Sequence, residues 1–107
     1  MPVEPPGPYR VVCPGVILQT LRRWAERAAA AGVQAEFAAS LRFIQERLST
    51  EPLAWGEERF TLPGRNVRVR HGARLFLHVS YGVDVAARVV FVRTFLLLPN
   101  APFEDIS

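Results

Sequence analysis

The spacing of apolar residues changes once along this chain, and this change limits the fold more than any other feature. Up to Leu48, apolar residues recur every three or four positions, which is typical of the buried face of a helix. From Phe60 onward, apolar and polar residues alternate, which is typical of strands with one buried face. Helices followed by consecutive strands predict an α+β fold in which the helices cover one face of an antiparallel sheet.

Two helices are predicted before the change. The first begins near Pro14 and ends at Gly32, because proline is tolerated in a first helical turn and glycine is favoured after a last one. The second ends near Pro52, and the short link between the two makes them an antiparallel hairpin. Their apolar faces comprise Ile17, Leu21, Trp24 and Ala28 in the first helix and Val33, Phe37, Leu41, Ile44 and Leu48 in the second.

Strands are predicted on both sides of this hairpin. A β-branched run at Tyr9–Cys13 predicts an N-terminal strand, and three or four antiparallel strands follow between Phe60 and Leu98. Turns are predicted at Pro63–Gly64, His71–Ala73 and Gly82–Asp84. The face under the helices should carry Leu75, Leu77, Val79, Val90, Val92 and Leu96. The other face should carry Arg68, Arg70, His78 and Arg93, with Phe76, Phe91 and Phe95 between them.

The length of 107 residues predicts a single domain. We expect a flexible arm at 1–8, the domain at 9–98 and a short polar tail at 99–107. The only cysteine, Cys13, has no partner for an internal disulfide, which favours a reducing compartment. The N-terminus does not resemble a signal peptide, and no apolar run reaches the roughly 18 residues of a membrane helix. A cytoplasmic protein without membrane contact is therefore predicted.

Positive charge is concentrated in one segment of the chain. All thirteen basic residues are arginine, and seven of them lie between Arg59 and Arg93 with a single acid, Asp84. The segments on either side are net negative. Because a guanidinium group holds a phosphate or carboxylate through two parallel hydrogen bonds, the segment favours an anionic partner. A codon bias toward arginine is the alternative explanation for the composition.

Four residues of the predicted open face are candidates for catalysis. Arg68, Arg70 and Arg93 offer cations for a phosphate or a transition state. His78 is the residue there whose ordinary pKa suits acid/base chemistry near neutral pH. The structural alternatives are a solvated strand edge for Arg68, Arg70 and Arg74, an ion pair for Arg93 and a locally packed ring for His78.

Further contacts and the absence of a cofactor are predicted from the remaining residues. Nucleic-acid or partner contacts are assigned to Arg59, Arg65 and Arg74. No metal site is predicted, because Cys13, His71 and His78 lack the spacing of a metal-binding motif. The chain also lacks a glycine-rich phosphate loop, and no cofactor is expected.

Several segments, taken with the order of elements, carry a family resemblance. Tyr9–Val12 precedes two helices, Val67–Gly72 contains the pattern Arg-x-Arg-x-Gly, and Arg88–Arg93 is an apolar strand with an arginine. The approach to the sheet contains Ile44, Leu48, Pro52, Gly56, Glu57, Phe60, Leu62 and Gly64. Over Tyr9 to Leu98 this pattern resembles the RelE/ParE superfamily of bacterial toxins.

The resemblance implies a toxin that a cognate antitoxin neutralises, and we expect that antitoxin to be an acidic protein. Ribosome-dependent members cut mRNA with basic sheet residues and a C-terminal tyrosine or histidine, whereas other members inhibit DNA gyrase. The resemblance makes Arg68, Arg70 and Arg93 candidate contacts for a phosphate or a transition state. The C-terminal acid/base residue has no match in Thr94–Leu98, and the lysines of cleaving members are missing. Both departures count against an mRNA endonuclease.

The sequence is compatible with three functions. The first is a toxin-like module that acts on ribosome-bound mRNA or a gyrase-type complex through an arginine-rich sheet face. The second is a catalytically inactive interaction domain of the same fold that binds a protein partner. The third is a protein that binds nucleic-acid backbone without chemistry, whose affinity falls steeply with salt.

Overall fold

Two helices and five strands make up the described part of the chain, residues 8–64 and 66–103, in a computed structural model. In chain order they are β1 (Arg10–Val12), α1 (Gly15–Ala30), α2 (Gln34–Thr50), β2 (Glu57–Thr61), β3 (Val67–Arg74), β4 (Leu77–Asp84) and β5 (Val89–Leu97). The predicted arm, apart from Pro8, and the end of the predicted tail from position 104 lie outside the described residues.

Both helices form where the apolar period predicts them. Gly32 separates them with a φ of 80°, a backbone angle that a residue without a Cβ adopts at little cost. The buried residues are Leu21, Trp24 and Ala28 in α1 and Phe37, Ser40, Ile44 and Leu48 in α2. Within the described residues, neither helix combines the length and the apolar character that crossing a membrane requires.

The prediction of an α+β fold is confirmed, but the predicted sheet is wrong in strand number and direction. Its five strands lie in the order β1-β5-β4-β3-β2, and β1 runs parallel to β5 while the other pairs are antiparallel. The sheet is therefore mixed. The apolar strand β5 needs a neighbour on each side, and the short N-terminal strand supplies the second one.

One residue of β5 has no partner in β4. The pairing shifts between Val92 and Thr94, which leaves Arg93 as the extra residue of a bulge. Beyond the bulge, each residue of β5 points to the opposite side of the sheet from the one it would have in a regular strand. Phe95 packs against the core and Leu96 is 56% exposed, so the predicted faces of these two residues are wrong.

The turn between β3 and β4 lies at Leu75–Phe76 rather than at the predicted His71–Ala73. Leu75 is exposed with a φ of 54°, whereas Phe76 is buried, which reverses the predicted faces of both residues. Phe76 packs edge-on against Phe103 at a centroid distance of 6.0 Å, and Phe103 packs in the same way against Phe37 at 5.9 Å. The packed unit thus continues beyond Leu98.

Gly72 and Gly82 lie inside strands, where they allow close packing instead of forming the predicted turns. A Cβ on Gly72 would come within 2.6 Å of the Trp55 ring, and a Cβ on Gly82 within 2.9 Å of the Val67 side chain. Glycine therefore marks close approach at these two positions, and the turn after β4 falls at 85–88.

We expect Gly72→Ala to lower the free energy of unfolding by about 1–3 kcal/mol, because the added methyl group forces the Trp55 ring out of its packed position. Urea unfolding followed by tryptophan fluorescence measures the change. Gly15→Ala is the matched control, since a methyl group added there has no neighbour within 4 Å. Equal stability of the two variants would show that Trp55 does not pack as described.

Candidate functional site

Three of the predicted site arginines lie on the face that the helices cover. In β3, each pairs with a buried residue of β4: Arg68 with Val83, Arg70 with Tyr81 and Arg74 with Leu77. Directly paired residues of antiparallel strands point to the same side of a sheet. The prediction that Arg68 and Arg70 share a face with His78 and Arg93 is therefore wrong, although their alternation with Val67 and Val69 is present.

Arg70 is a buried structural residue with 8% exposure. Its guanidinium donates hydrogen bonds to the carbonyl oxygens of Trp55 (3.3 Å) and Gly56 (3.0 Å) and to the Glu58 carboxylate (3.3 Å). These bonds hold the segment between α2 and β2 against the sheet. All three acceptors belong to the protein itself, so Arg70 is committed to the fold and is removed from the candidate catalytic set.

Arg68 and Arg74 lie at the border of the helix-covered face. The Arg68 side chain is 51% exposed and approaches the Glu58 carboxylate at 3.8 Å. The Arg74 guanidinium carbon lies 4.3 Å from the centroid of the Phe43 ring of α2. Arg65, another predicted contact, lies outside the described residues.

The opposite surface of the sheet, here called the open face, carries an exposed apolar row. The strand register aligns Val12, Phe91, Gly82, Val69 and Phe60 across all five strands. Phe91 and Phe60 are 42% and 48% exposed, while Val69 between them is buried. Two half-exposed rings with a glycine between them form a surface on which planar groups can stack.

Two arginines accompany this row. Arg93 extends from the β5 bulge and places its guanidinium carbon 5.8 Å from the centroid of the Phe60 ring. Arg59 is exposed at an irregularity in the pairing of β2, and its charge acts on His78. Cations next to aromatic rings on an exposed sheet can hold the phosphates of a chain whose bases stack on the rings.

A pair of histidines lies beside the row. His71 Nδ1 and His78 Nε2 are 3.0 Å apart, and the Glu57 carboxylate lies 3.8 Å from the other ring nitrogen of His71. Ser80 and Thr94 continue the same cross-strand line as Glu57 and His71. The three strands β2, β3 and β4 thus build a chain of titratable groups, Glu57–His71–His78.

We assign the proton between the rings to His78 Nε2. His71 then accepts this hydrogen bond at Nδ1 and carries its own proton on Nε2, which faces the Glu57 carboxylate. If His71 Nδ1 were the donor instead, the lone pair of His71 Nε2 would face that negative charge. His78 Nδ1 then carries a lone pair. That atom is buried and has no hydrogen-bond partner within 8–64 and 66–103, so the chain of groups ends in an unsatisfied base.

Burial lowers the pKa of His78, and the charges of His71 and Arg59 lower it further. Between the pKa of His78 in the unfolded chain and its lower pKa in the folded protein, the unfolded chain binds more protons. The stability that the neutral His78 contributes is therefore lost as the pH falls from about 6.5 through the folded pKa.

We expect the stability lost between pH 7 and pH 5 to be smaller in His78→Gln than in the wild type. Thermal unfolding in EDTA measures the difference, and parallel pH curves would contradict it.

No three histidine, cysteine, aspartate or glutamate side chains of the described residues come together as a metal site. Cys13 lines an apolar cavity of about 560 Å³ between the helices and the β1–β5 side of the sheet. Burial raises the pKa of its thiol, which keeps the sulfur protonated and unreactive near neutral pH.

Arg93, His78 and Arg59, which the sequence singles out as candidates, lie together on the open face. The sequence predicts His71 in a turn, and its pattern gives no site role to Glu57 or Phe60. The alternation of apolar and polar residues predicts β2 and β3 as separate strands. The contact between His71 and His78 depends in addition on the β3–β4 register, which the position of the turn sets. The bulge at Arg93 leaves no signal in the residue pattern.

Comparison of the chain with protein-family models, curated proteins and solved structures finds no match.

Proposed function

We propose that this protein is a cytoplasmic, RelE/ParE-like toxin module that acts on an anionic target through its open face. One observation carries the proposal: the open face brings two arginines and two exposed phenylalanines next to a hydrogen-bonded histidine pair. Single-stranded RNA has the two features that such a surface can bind, charged phosphates and planar bases. We therefore favour ribosome-bound RNA over a gyrase-type complex as the target.

The roles that we propose for residues of the open face differ from those predicted from the sequence. Arg93 and Arg59 are the cations, Phe60 and Phe91 are the stacking surfaces, and His78 is the base. RNA cleavage needs a base, a cation and an acid. Because His78 Nδ1 is buried, a ribose hydroxyl reaches it only after neighbouring side chains move, and no residue is assigned as the acid.

Binding of a fluorescent single-stranded RNA, followed by anisotropy, tests this function. We expect Arg59→Ala/Arg93→Ala to bind at least about tenfold more weakly and to have a shallower salt dependence, since each phosphate that is no longer neutralised removes about 0.7 from the slope. Arg22→Ala/Arg42→Ala is the matched control, because it removes the same charge from helix positions outside the open face. Equal losses in both double variants would mean that net charge alone drives binding.

A protein-binding module without catalysis is the second candidate. The observation in its favour is the exposed apolar surface itself, in which Val12 and Leu96 extend the two phenylalanines. The outer edge of β2 has no strand beside it within the described sheet, so a partner can add one there. A co-purifying acidic polypeptide and no RNA binding would support this candidate, whereas an adjacent short reading frame would favour a toxin–antitoxin pair.

A further inference from the structure

The cavity beside Cys13 is lined by one continuous face of each helix. It has a volume of about 560 Å³ and lies between the two helices and the β1–β5 side of the sheet. The lining positions of α1 are Leu18, Leu21, Arg22 and Ala25. Those of α2 repeat the same spacing from Leu41 to Leu48. Positions with this spacing share one side of a helix, so the cavity follows each helix for about two turns.

The inner wall of the cavity is apolar. Ile44 and Leu48 of α2 and Val92 of β5 are buried there, and no acidic side chain of the described residues lines the cavity. A close-packed protein interior has few voids larger than a water molecule. The volume lies instead within the range of small-molecule sites, about 300–1,000 Å³. The cavity therefore suits an apolar ligand, because such walls offer water no hydrogen-bond partners.

Two polar side chains mark the entrance of the cavity. Arg22 of α1 and Gln45 of α2 line it and are exposed. Within the described part of the chain, Arg22 forms no ion pair. A guanidinium holds a carboxylate through two parallel hydrogen bonds, and the Gln45 amide supplies a further donor. The charge at the entrance therefore complements a carboxylate whose apolar part lies inside.

The volume distinguishes a small ligand from a partner helix. A helix about 10 Å wide with a pitch of about 5.4 Å occupies roughly 420 Å³ per turn, so the cavity holds little more than one turn. A single alkyl chain is much thinner and can lie along the two helical faces. A cationic headgroup on that chain would meet the like charge of Arg22, whereas a carboxylate meets an opposite one.

We propose that this cavity is a binding site for a free fatty acid, with the alkyl chain against the apolar inner wall and the carboxylate at Arg22 and Gln45. The carboxylate stays at the exposed entrance, so binding does not bury an unpaired charge. The cavity lies on the helix-covered side of the sheet, whereas the proposed function belongs to the open face. The two proposals therefore rest on different residues.

Titration calorimetry of the full chain with decanoate, below its micelle concentration, tests the site. We expect saturable binding of one decanoate per chain, about fifteenfold tighter than octanoate, since each buried methylene group contributes about fourfold. Arg22→Ala should bind decanoate at least about tenfold more weakly. Arg42→Ala is the matched control, because it removes the same charge from an exposed position of α2 that does not line the cavity.

A substitution inside the cavity separates the alkyl chain from the headgroup. Ala25→Phe fills the space from α1 and should abolish saturable binding while Arg22 remains in place. Ala30→Phe is its control, since position 30 is exposed and does not line the cavity. Circular dichroism checks the folding of each variant.

Cys13 gives a second readout, because it is the only cysteine and lines the cavity. At a decanoate concentration of ten times Kd, modification of Cys13 by N-ethylmaleimide at mildly alkaline pH should be about tenfold slower, in proportion to the unoccupied fraction. No saturable binding by the folded wild type, or equal binding by folded Ala25→Phe, would overturn the proposal. Equal affinity for decyltrimethylammonium would overturn the assignment of the carboxylate. None of these outcomes involves RNA, so the site and the proposed function fail separately.

Discussion

Arg70→Ala is expected to lower the free energy of unfolding by about 2–4 kcal/mol. The guanidinium is buried and donates to two backbone carbonyl oxygens and one carboxylate. Its removal leaves the carbonyl of Gly56 without this donor and releases the segment that leads from α2 into β2. Hydrogen bonds to charged groups contribute more than neutral ones, and three of them converge on this side chain.

Arg68→Ala is the matched control for this experiment. It removes the same charge two residues away on the same strand and the same face, but its side chain is half-exposed and its ion pair to Glu58 spans 3.8 Å. We expect a change of no more than about 0.5 kcal/mol. Urea unfolding of both variants gives the comparison. Similar stabilities of Arg70→Ala and the wild type would mean that Arg70 is not a structural residue.

Tyr81→Ala is expected to lower the free energy of unfolding by about 3–5 kcal/mol. The Tyr81 side chain is fully buried at the centre of the sheet, and its ring stacks against Trp55 at a centroid distance of 6.0 Å and an angle of 14°. Its hydroxyl has one hydrogen, and two carbonyl oxygens lie within hydrogen-bond distance as acceptors, that of Pro52 at 2.9 Å and that of Trp55 at 2.7 Å. Burial raises the pKa of this hydroxyl, which keeps it a donor.

Tyr81→Phe separates the ring from the hydroxyl and should cost about 1–3 kcal/mol, because a buried carbonyl loses its donor. It also keeps the prediction testable where the alanine variant is too unstable to purify. Since Tyr81 and Arg70 both bond to the Trp55 carbonyl oxygen, we expect the double variant Tyr81→Phe/Arg70→Ala to deviate from additivity. Additive losses in urea unfolding would show that the two side chains act independently.

The helices were predictable because their signal is local. The apolar spacing of Leu21, Trp24 and Ala28 indicates a helix without any information about distant residues. Gly32 ends that helix through its own backbone conformation. The strand β5 was predictable for a similar reason, since a long apolar run fits only the interior of a sheet. What these signals do not contain is the partner of each strand, so the parallel pairing of β1 with β5 was missed.

The candidate site was harder to predict because it depends on which side of each strand is buried. Alternation divides β3 into two sets of residues, but only the pairing of Arg70 with Tyr81 decides that the arginine set faces the helices. The bulge at Arg93 then separates Phe91 from Phe95, which a regular strand would keep on one face. A register shift of one residue exchanges faces, and no residue type announces it here.

The proposed function assigns the activity to the open face and not to the arginine pattern of β3. Growth of a bacterial host after tightly controlled expression is the decisive test, with the wild type, Arg59→Ala/Arg93→Ala and Arg22→Ala/Arg42→Ala compared at equal soluble levels. We expect arrest by the wild type and by the helix double variant, and growth with the open-face double variant. Arrest by a folded Arg59→Ala/Arg93→Ala protein, or growth with all three, would be incompatible with the proposed function.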